Sequence, residues 1–182
     1  MTRRRHVLSA VVALALAGSI VGCTPQSTPS PAPSSSSSTF SSDAEAFAAA
    51  EATYRAYVDA LNKVSFSDPA TFEDVYAWTA GALREADQRS FEDSSRAGLA
   101  IEGSFRVVKL SAFTQDAESG TMTLDACLDV SSVRVTDVTG TPQGDTTMAD
   151  IVPLRLTFEP RAQTPTALVI TDTQPRSEGD AC

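Results

Sequence analysis

Three cysteines, Cys23, Cys127 and Cys182, one histidine, His6, and two lysines, Lys63 and Lys109, are the side chains here best suited to nucleophilic, metal-ligating or proton-transfer chemistry. A Ser-His-Asp or Cys-His relay would have to use His6, which lies at the very start of the chain. A zinc site that needs imidazole meets the same limit. Acid–base work therefore falls to carboxylates, tyrosines and the two lysines. Asp125 and Asp129 share one parity in an alternating stretch. Four residues along a strand set them about 13 Å apart, against about 5–9.5 Å for carboxylate pairs that act on glycosides. They are expected on a solvated sheet face. Asp137 to Asp145 has the composition of a calcium loop but not the EF-hand spacing, and is expected to be an ordinary hairpin loop. Tyr54, Tyr57, Phe72, Tyr76 and Trp78 could line a pocket between helix and sheet, although aromatics at helical spacing are read first as core. No metal or cofactor is expected, and no catalytic residue is singled out.

The N-terminus carries the strongest pattern. Met1 to His6 is basic, Val7 to Val21 is apolar apart from small residues, and a polar, proline-rich stretch follows at once. These are the n-region and h-region of a signal peptide, too short for a comfortable transmembrane span of about 20 apolar residues. Ile20-Val21-Gly22-Cys23 resembles the bacterial lipobox. That resemblance implies diacylglycerol on the Cys23 thiol, cleavage before Cys23, and anchoring at the outer face of the bacterial cytoplasmic membrane through two or three acyl chains. One chain alone would bind only marginally. Arg4-Arg5-His6-Val7-Leu8 also resembles a twin-arginine export signal, but three consecutive arginines make a pair trivial, and a plain basic n-region is the preferred reading.

The expected organisation is therefore a signal peptide over 1–22, a lipidated cysteine with a disordered tether over 23–42, and one domain over 43–182. The tether is almost entirely Ser, Thr and Pro, a composition that cannot bury a core and whose prolines stiffen its first half. Export also removes His6, so the mature chain has no imidazole. Loss of Arg3, Arg4 and Arg5 takes the formal charge from −9 to −12, which disfavours nucleic acid as a partner. Outside the cell, the pair left after lipidation, Cys127 and Cys182, is expected to form a disulfide that ties down the polar tail from Arg176 to Ala181.

Ser42-Asp43-Ala44-Glu45 is a capping-box pattern. Phe47, Ala50, Tyr54, Tyr57 and Leu61 then recur at spacings of 3 and 4, which predicts an amphipathic helix of about five turns ending near Val64. Ser67-Asp68-Pro69 restarts a helix with Phe72, Val75 and Tyr76 inward, and a third runs from about Ala80 to Ala97 with Gly98 as its C-terminal stop. After Gly103 the period becomes two. Strands are predicted at Phe105 to Phe113, Thr121 to Val130, Val152 to Phe158 and Leu168 to Thr171. A bulge is expected at Ser131-Ser132, where the parity flips for Val133 and Val135. Pro153 places the early part of its strand at an edge or bulge. Lys63 and Lys109 are expected in solvent.

Helices first and a meander after make an α+β domain. That order resembles the nuclear-transport-factor-2-like superfamily, a cone in which a curved antiparallel sheet wraps the first helix. Leu124-Asp125-Ala126-Cys127-Leu128-Asp129-Val130-Ser131, followed by Asp137 and Gly140, resembles a block in small actinobacterial lipoproteins of that fold, with one cysteine mid-strand and a second closing the chain. With no histidine left after export and the two domain cysteines expected to pair, the expected function is a non-enzymatic binding or scaffold module of the cell envelope, with membrane lipid and an envelope protein as partners. The competing expectation is a small-molecule binder or a carboxylate-dependent enzyme that uses the cone's interior. The two differ in whether polar groups converge on a cavity between the first helix and the sheet.

Overall fold

The computed structural model describes residues 40–144, 149–176 and 182. The expected signal peptide, the lipobox-like tetrad with Cys23 and nearly all of the expected tether lie outside the described residues, as do 145–148 and 177–181. The first element begins at the predicted cap. Ser42 is extended, its Oγ accepts from the Glu45 N–H at 3.2 Å, and α1 runs Asp43–Leu61. The Glu45 carboxylate accepts from the N–H and hydroxyl of Ser41, one residue before the position a reciprocal capping box would use. The helix ends at Leu61 with Asn62 as C-cap, short of Val64. The Asn62 side chain is held by Phe105, accepting its N–H at 2.8 Å and donating to its carbonyl at 3.0 Å.

Asp68 caps a 3-10 turn, Pro69–Thr71, its side chain accepting from Ala70 N–H, and the turn runs into the short helix α2, Phe72–Tyr76. Helix α3 spans Gly81–Arg96 and stops before Gly98, whose φ of +67° suits glycine. Two strands are small: β1 (Ala100–Glu102) and β4 (Arg134–Thr136) pair with each other in a separate two-stranded ribbon. The main sheet contains β2 (Arg106–Gln115), β3 (Met122–Asp129), β5 (Ile151–Pro160) and β6 (Leu168–Pro175) in the order β2-β3-β5-β6, all antiparallel. Register shifts in β2 and between Thr157 and Phe158 bend it.

One local expectation is corrected. Val133 and Val135 do not continue the preceding strand past a bulge; the chain leaves the sheet in a turn after Val130, and Val135 pairs with Ile101 in the β1–β4 ribbon. Pro153 lies opposite Cys127, and because the β5–β6 ladder begins only at Leu154, the early part of β5 is an edge on that side, as its proline implies. Its missing N–H costs nothing in the β3 ladder because it faces the other neighbour, where β6 is ending: the Pro153 carbonyl accepts from Arg176 N–H at 2.9 Å, and β6 stops at Pro175.

The core lies between α1 and the sheet. Ala46, Ala50, Thr53, Tyr54, Tyr57 and Val58 form the buried stripe of α1, and small alanines near its start allow close approach. Met122, Leu124, Leu156, Phe158, Leu168 and Ile170 meet it from the sheet, none more than 1% exposed. Phe47 and Phe113 pack edge to face at 5.7 Å. The far edge of the sheet is covered by the Trp78–Ala80 segment: Thr79 bridges Ile170 in parallel, Ile170 N–H donates to Trp78, and Ala80 N–H donates to Ile170.

Candidate functional site

Periodicity carries a polar residue into the buried stripe of α3. Leu83, Asp87 and Phe91 stand four apart and therefore share a face. Leu83 and Phe91 are buried in the core, and Asp87 between them meets Tyr57 of α1. The Tyr57 hydroxyl lies 3.4 Å from both Asp87 carboxylate oxygens, a long shared contact. Tyr54, one turn earlier, stacks near Tyr57 at 6.2 Å, and its buried hydroxyl has no hydrogen-bond partner among the described residues. Burial pushes the Asp87 carboxyl up to about 6, against a smaller lowering by the Tyr57 hydrogen bond. Burial raises both phenols, and in Tyr57 the Asp87 charge adds to it. Tyr54 and Tyr57, possible pocket-lining residues read first as core, are core residues gathered with one carboxyl. Asp87 went unread in the sequence, although its place between Leu83 and Phe91 at spacings of four was a usable signal.

The other predicted aromatics separate. Trp78 is half-buried at the joint with β6. Phe72 and Tyr76 form the floor of a groove of about 410 Å³ on the outside of α2 and α3. Residues one and four along from Phe72 bring Glu73 and Tyr76 to it, and α3 supplies Glu92, Ser95 and Arg96. Tyr76 is stacked against Phe91 at 6.0 Å, and the Arg84 guanidinium lies 5.4 Å from its ring centre while donating to its carbonyl at 2.9 Å. The phenol of Tyr76 is raised first by desolvation, then by Glu92, Asp87 and Glu73, with Arg84 opposing. Arg96 is held by Asp93 at 2.6 Å.

On the sheet's other face the expectation of solvated carboxylates is overturned. Asp125 is 3% exposed and Asp129 8%. Asp125 accepts from Arg155 at 2.8 and 3.1 Å, with Arg176 Nε at 3.3 Å; Asp129 accepts from Arg106 and from Ser131 N–H. Arginine side chains laid across the strand cover these carboxylates, and a β3 with neighbours on both sides has no edge facing water. Arg155 holds the Asp125 carboxyl below its usual range, and the Ser131 and Arg106 hydrogen bonds push Asp129 down to about 2. Between them Cys127 is joined to Cys182, with Cα atoms 5.7 Å apart. In the predicted loop, Asp137 turns its carboxylate onto its own turn, accepting from Thr139 and Thr141 N–H groups. Lys63 and Lys109 are exposed.

No family model matches this sequence, and no curated protein matches it. Among solved structures, the intermembrane space region of the chloroplast protein ARC6 superposes with a TM-score of 0.54 at 14% identity, over 71% of this chain and 95% of that one. A periplasmic fragment of TraM (TM-score 0.41, 11% identity, 76% of this chain and 100% of that one) and the Agrobacterium tumefaciens VirB8 protein (0.36, 14%, 74% and 94%) also match. The two lower scores carry no argument. The described residues have an α+β, nuclear-transport-factor-2-like fold, with helices packed on a curved antiparallel sheet.

Proposed function

We propose that this chain is an exported lipoprotein, anchored through acylated Cys23 to the outer face of the bacterial cytoplasmic membrane, and that its folded part is a non-enzymatic binding or accessory module of the envelope. The observation that carries the second half is the packing of the cone. Tyr54, Met122, Leu124, Leu156, Phe158, Leu168 and Ile170 meet in its interior with at most 1% exposure, so side chains occupy the space an enclosed substrate would need. The outer surface is then the working part, and the α2–α3 groove is its described concavity of ligand size. The lipobox tetrad supports the anchor, and the Cys127–Cys182 bond suits an oxidising compartment.

One observation favours the competing reading. A carboxyl with a raised pKa beside two tyrosines is the kind of group a proton-transfer site uses. The two readings separate on whether a small molecule can enter beside Asp87. Xenon or an aromatic fragment titrated into the isotopically labelled domain should leave the Tyr54, Tyr57 and Asp87 resonances unmoved; saturable shifts confined to those three would sink the filled-cone reading. For the anchor, Cys23→Ser should move the protein from the membrane fraction to the medium or stall its precursor. An unmodified Cys23 found by mass spectrometry in membrane-bound wild type would exclude lipid anchoring at that residue.

A further inference from the structure

The outer face of the sheet sets one bonded sulfur among cations. Cys127 of β3 is 2% exposed, whereas its partner Cys182 is exposed. Residues directly opposite across antiparallel strands share a face, so the register names the neighbours of the Cys127 side chain. Lys109 of β2 stands opposite it on one side and Pro153 of β5 on the other. Arg176, whose N–H donates to the Pro153 carbonyl, extends the same row. In the flanking rows Arg155 stands opposite Asp125, and Arg106 opposite Asp129. Both carboxylates are already engaged, Asp125 by Arg155 and Arg176, Asp129 by Arg106. Lys109 is exposed and is in no ion pair with a described residue. A register shift between Val107 and Lys109 puts it there: without that bulge Val108 would stand opposite Cys127.

We propose that the Cys127–Cys182 bond is an exchangeable redox site, opened by a dithiol that attacks Cys182 and expels Cys127 as a thiolate facing Lys109. The rate of thiol–disulfide exchange depends on access to the attacked sulfur and on how easily the leaving sulfur carries negative charge. Exposure selects Cys182 for attack. Charge then develops on the Cys127 sulfur, with the Lys109 Cβ about 4.5–5.5 Å from the Cys127 Cβ across the strands. A neighbouring ammonium favours a thiolate, and the arginines offset the two aspartates. In the first step the bond between the two cysteines breaks, a dithiol sulfur bonds to Cys182, and the electron pair leaves with Cys127. In the second, the dithiol's other sulfur, as a thiolate, attacks the first, displaces Cys182 and closes the dithiol into a disulfide. Two electrons pass to the protein; one of the dithiol's protons ends on Cys182 and the other in solvent. Opening frees the 55-residue loop and leaves Cys127 as a thiolate among cations. A bond that only fastened two segments would need no cation opposite its buried sulfur. The inference is independent of the anchor and binding-module readings.

The test follows reduction of the acylated mature protein in nanodiscs by dithiothreitol at neutral pH, read by alkylation and mass spectrometry. The rate should rise linearly with dithiothreitol, because the folded protein itself exchanges. A rate that levels off at the rate of unfolding would overturn the proposal. Lys109→Gln should slow reduction of the folded protein by about threefold and flatten its salt dependence, and Lys109→Arg should restore both. In concentrated urea, where the strand register is lost, wild type and Lys109→Gln should be reduced equally fast. Lys63→Gln, after the end of α1 and exposed, should leave the rate unchanged. Reduced glutathione, added in excess and followed by alkylation, should be found on Cys182 with the alkyl group on Cys127. Glutathione on Cys127, or a folded Lys109→Gln protein reduced as fast as wild type, would each overturn the proposal.

Discussion

Asp87 is a charged residue in a helical stripe otherwise committed to the core, and its ionisation works against folding. Its folded pKa of about 6 lies above the ordinary 3.8. The native state therefore holds the proton more tightly, and the stability this contributes is complete below about pH 4 and lost as pH rises through about 6. Asp87→Asn should consequently stabilise the domain at pH 7.5, by on the order of 1–2 kcal/mol once its partial exposure is discounted, and should leave it little changed at pH 4. Urea titrations at the two pH values check this, and a variant less stable at pH 7.5 would show that ionised Asp87 makes a contact worth more than its burial costs. Asp125 and Asp129 have the opposite sign. Their lowered pKa values give stability that is present above about pH 4 and lost as pH falls through the folded-state values, about 2 for Asp129. Asp125→Ala removes the carboxylate that Arg155 and Arg176 share and should cost about 2–4 kcal/mol in the same assay at neutral pH. A loss under about 0.5 kcal/mol would mean the two guanidiniums find equal partners elsewhere.

At the scale of elements, the long periodic segments were legible and the short ones were not. Helix α1 is marked by a cap and a stripe sustained over 19 residues, and α3 by the same pattern ending before Gly98. Strands β1 and β4 have three residues each, too few to show a period, so their ribbon is invisible in the sequence and Val133 and Val135 read as a continuation past a bulge at Ser131-Ser132. The junction between α3 and the sheet depends on one glycine that the sequence marked only as a boundary. Gly103 has a φ of +89°, and a Cβ there would lie 2.0 Å from the Ser132 carbonyl oxygen. Gly103→Ala should destabilise by about 2–4 kcal/mol, combining an unfavourable φ with a backbone clash that no rotamer relieves. Thermal melts would check it, and a change within about 0.5 kcal/mol would show that the β1–β4 ribbon shifts freely. Gly140, at φ +81° but with open space around its Cβ position, should tolerate alanine better.

For the whole molecule, the Cys127–Cys182 bond closes a 55-residue loop that contains the end of β3, the β4 ribbon strand, β5 and β6. Reduction, or Cys182→Ser, should lower stability by about 4 kcal/mol through the unfolded chain's regained freedom. Denaturation with and without reductant measures it, and coincident transitions would show that the bond closes a contact already held by packing. Among the described residues no helix is long and apolar enough to cross a membrane.

What the sequence determined by itself follows from local and periodic physics: the start of α1, the three helices and the inward parity of β3 all depend on residues within one turn or one strand. What only the tertiary structure decided depends on which surfaces meet. Asp125 and Asp129 read as solvated because alternation assigns them to the face away from the core, and nothing local shows that arginines from β2, β5 and the end of β6 would lie across that face. Tyr57 and Asp87 are 30 residues apart, and Glu73 and Glu92 stand on separate helices; their association is set by how α2 and α3 pack on α1, an arrangement fixed by the buried aromatic contacts among Phe66, Phe72, Tyr76 and Phe91 rather than by any spacing along the chain.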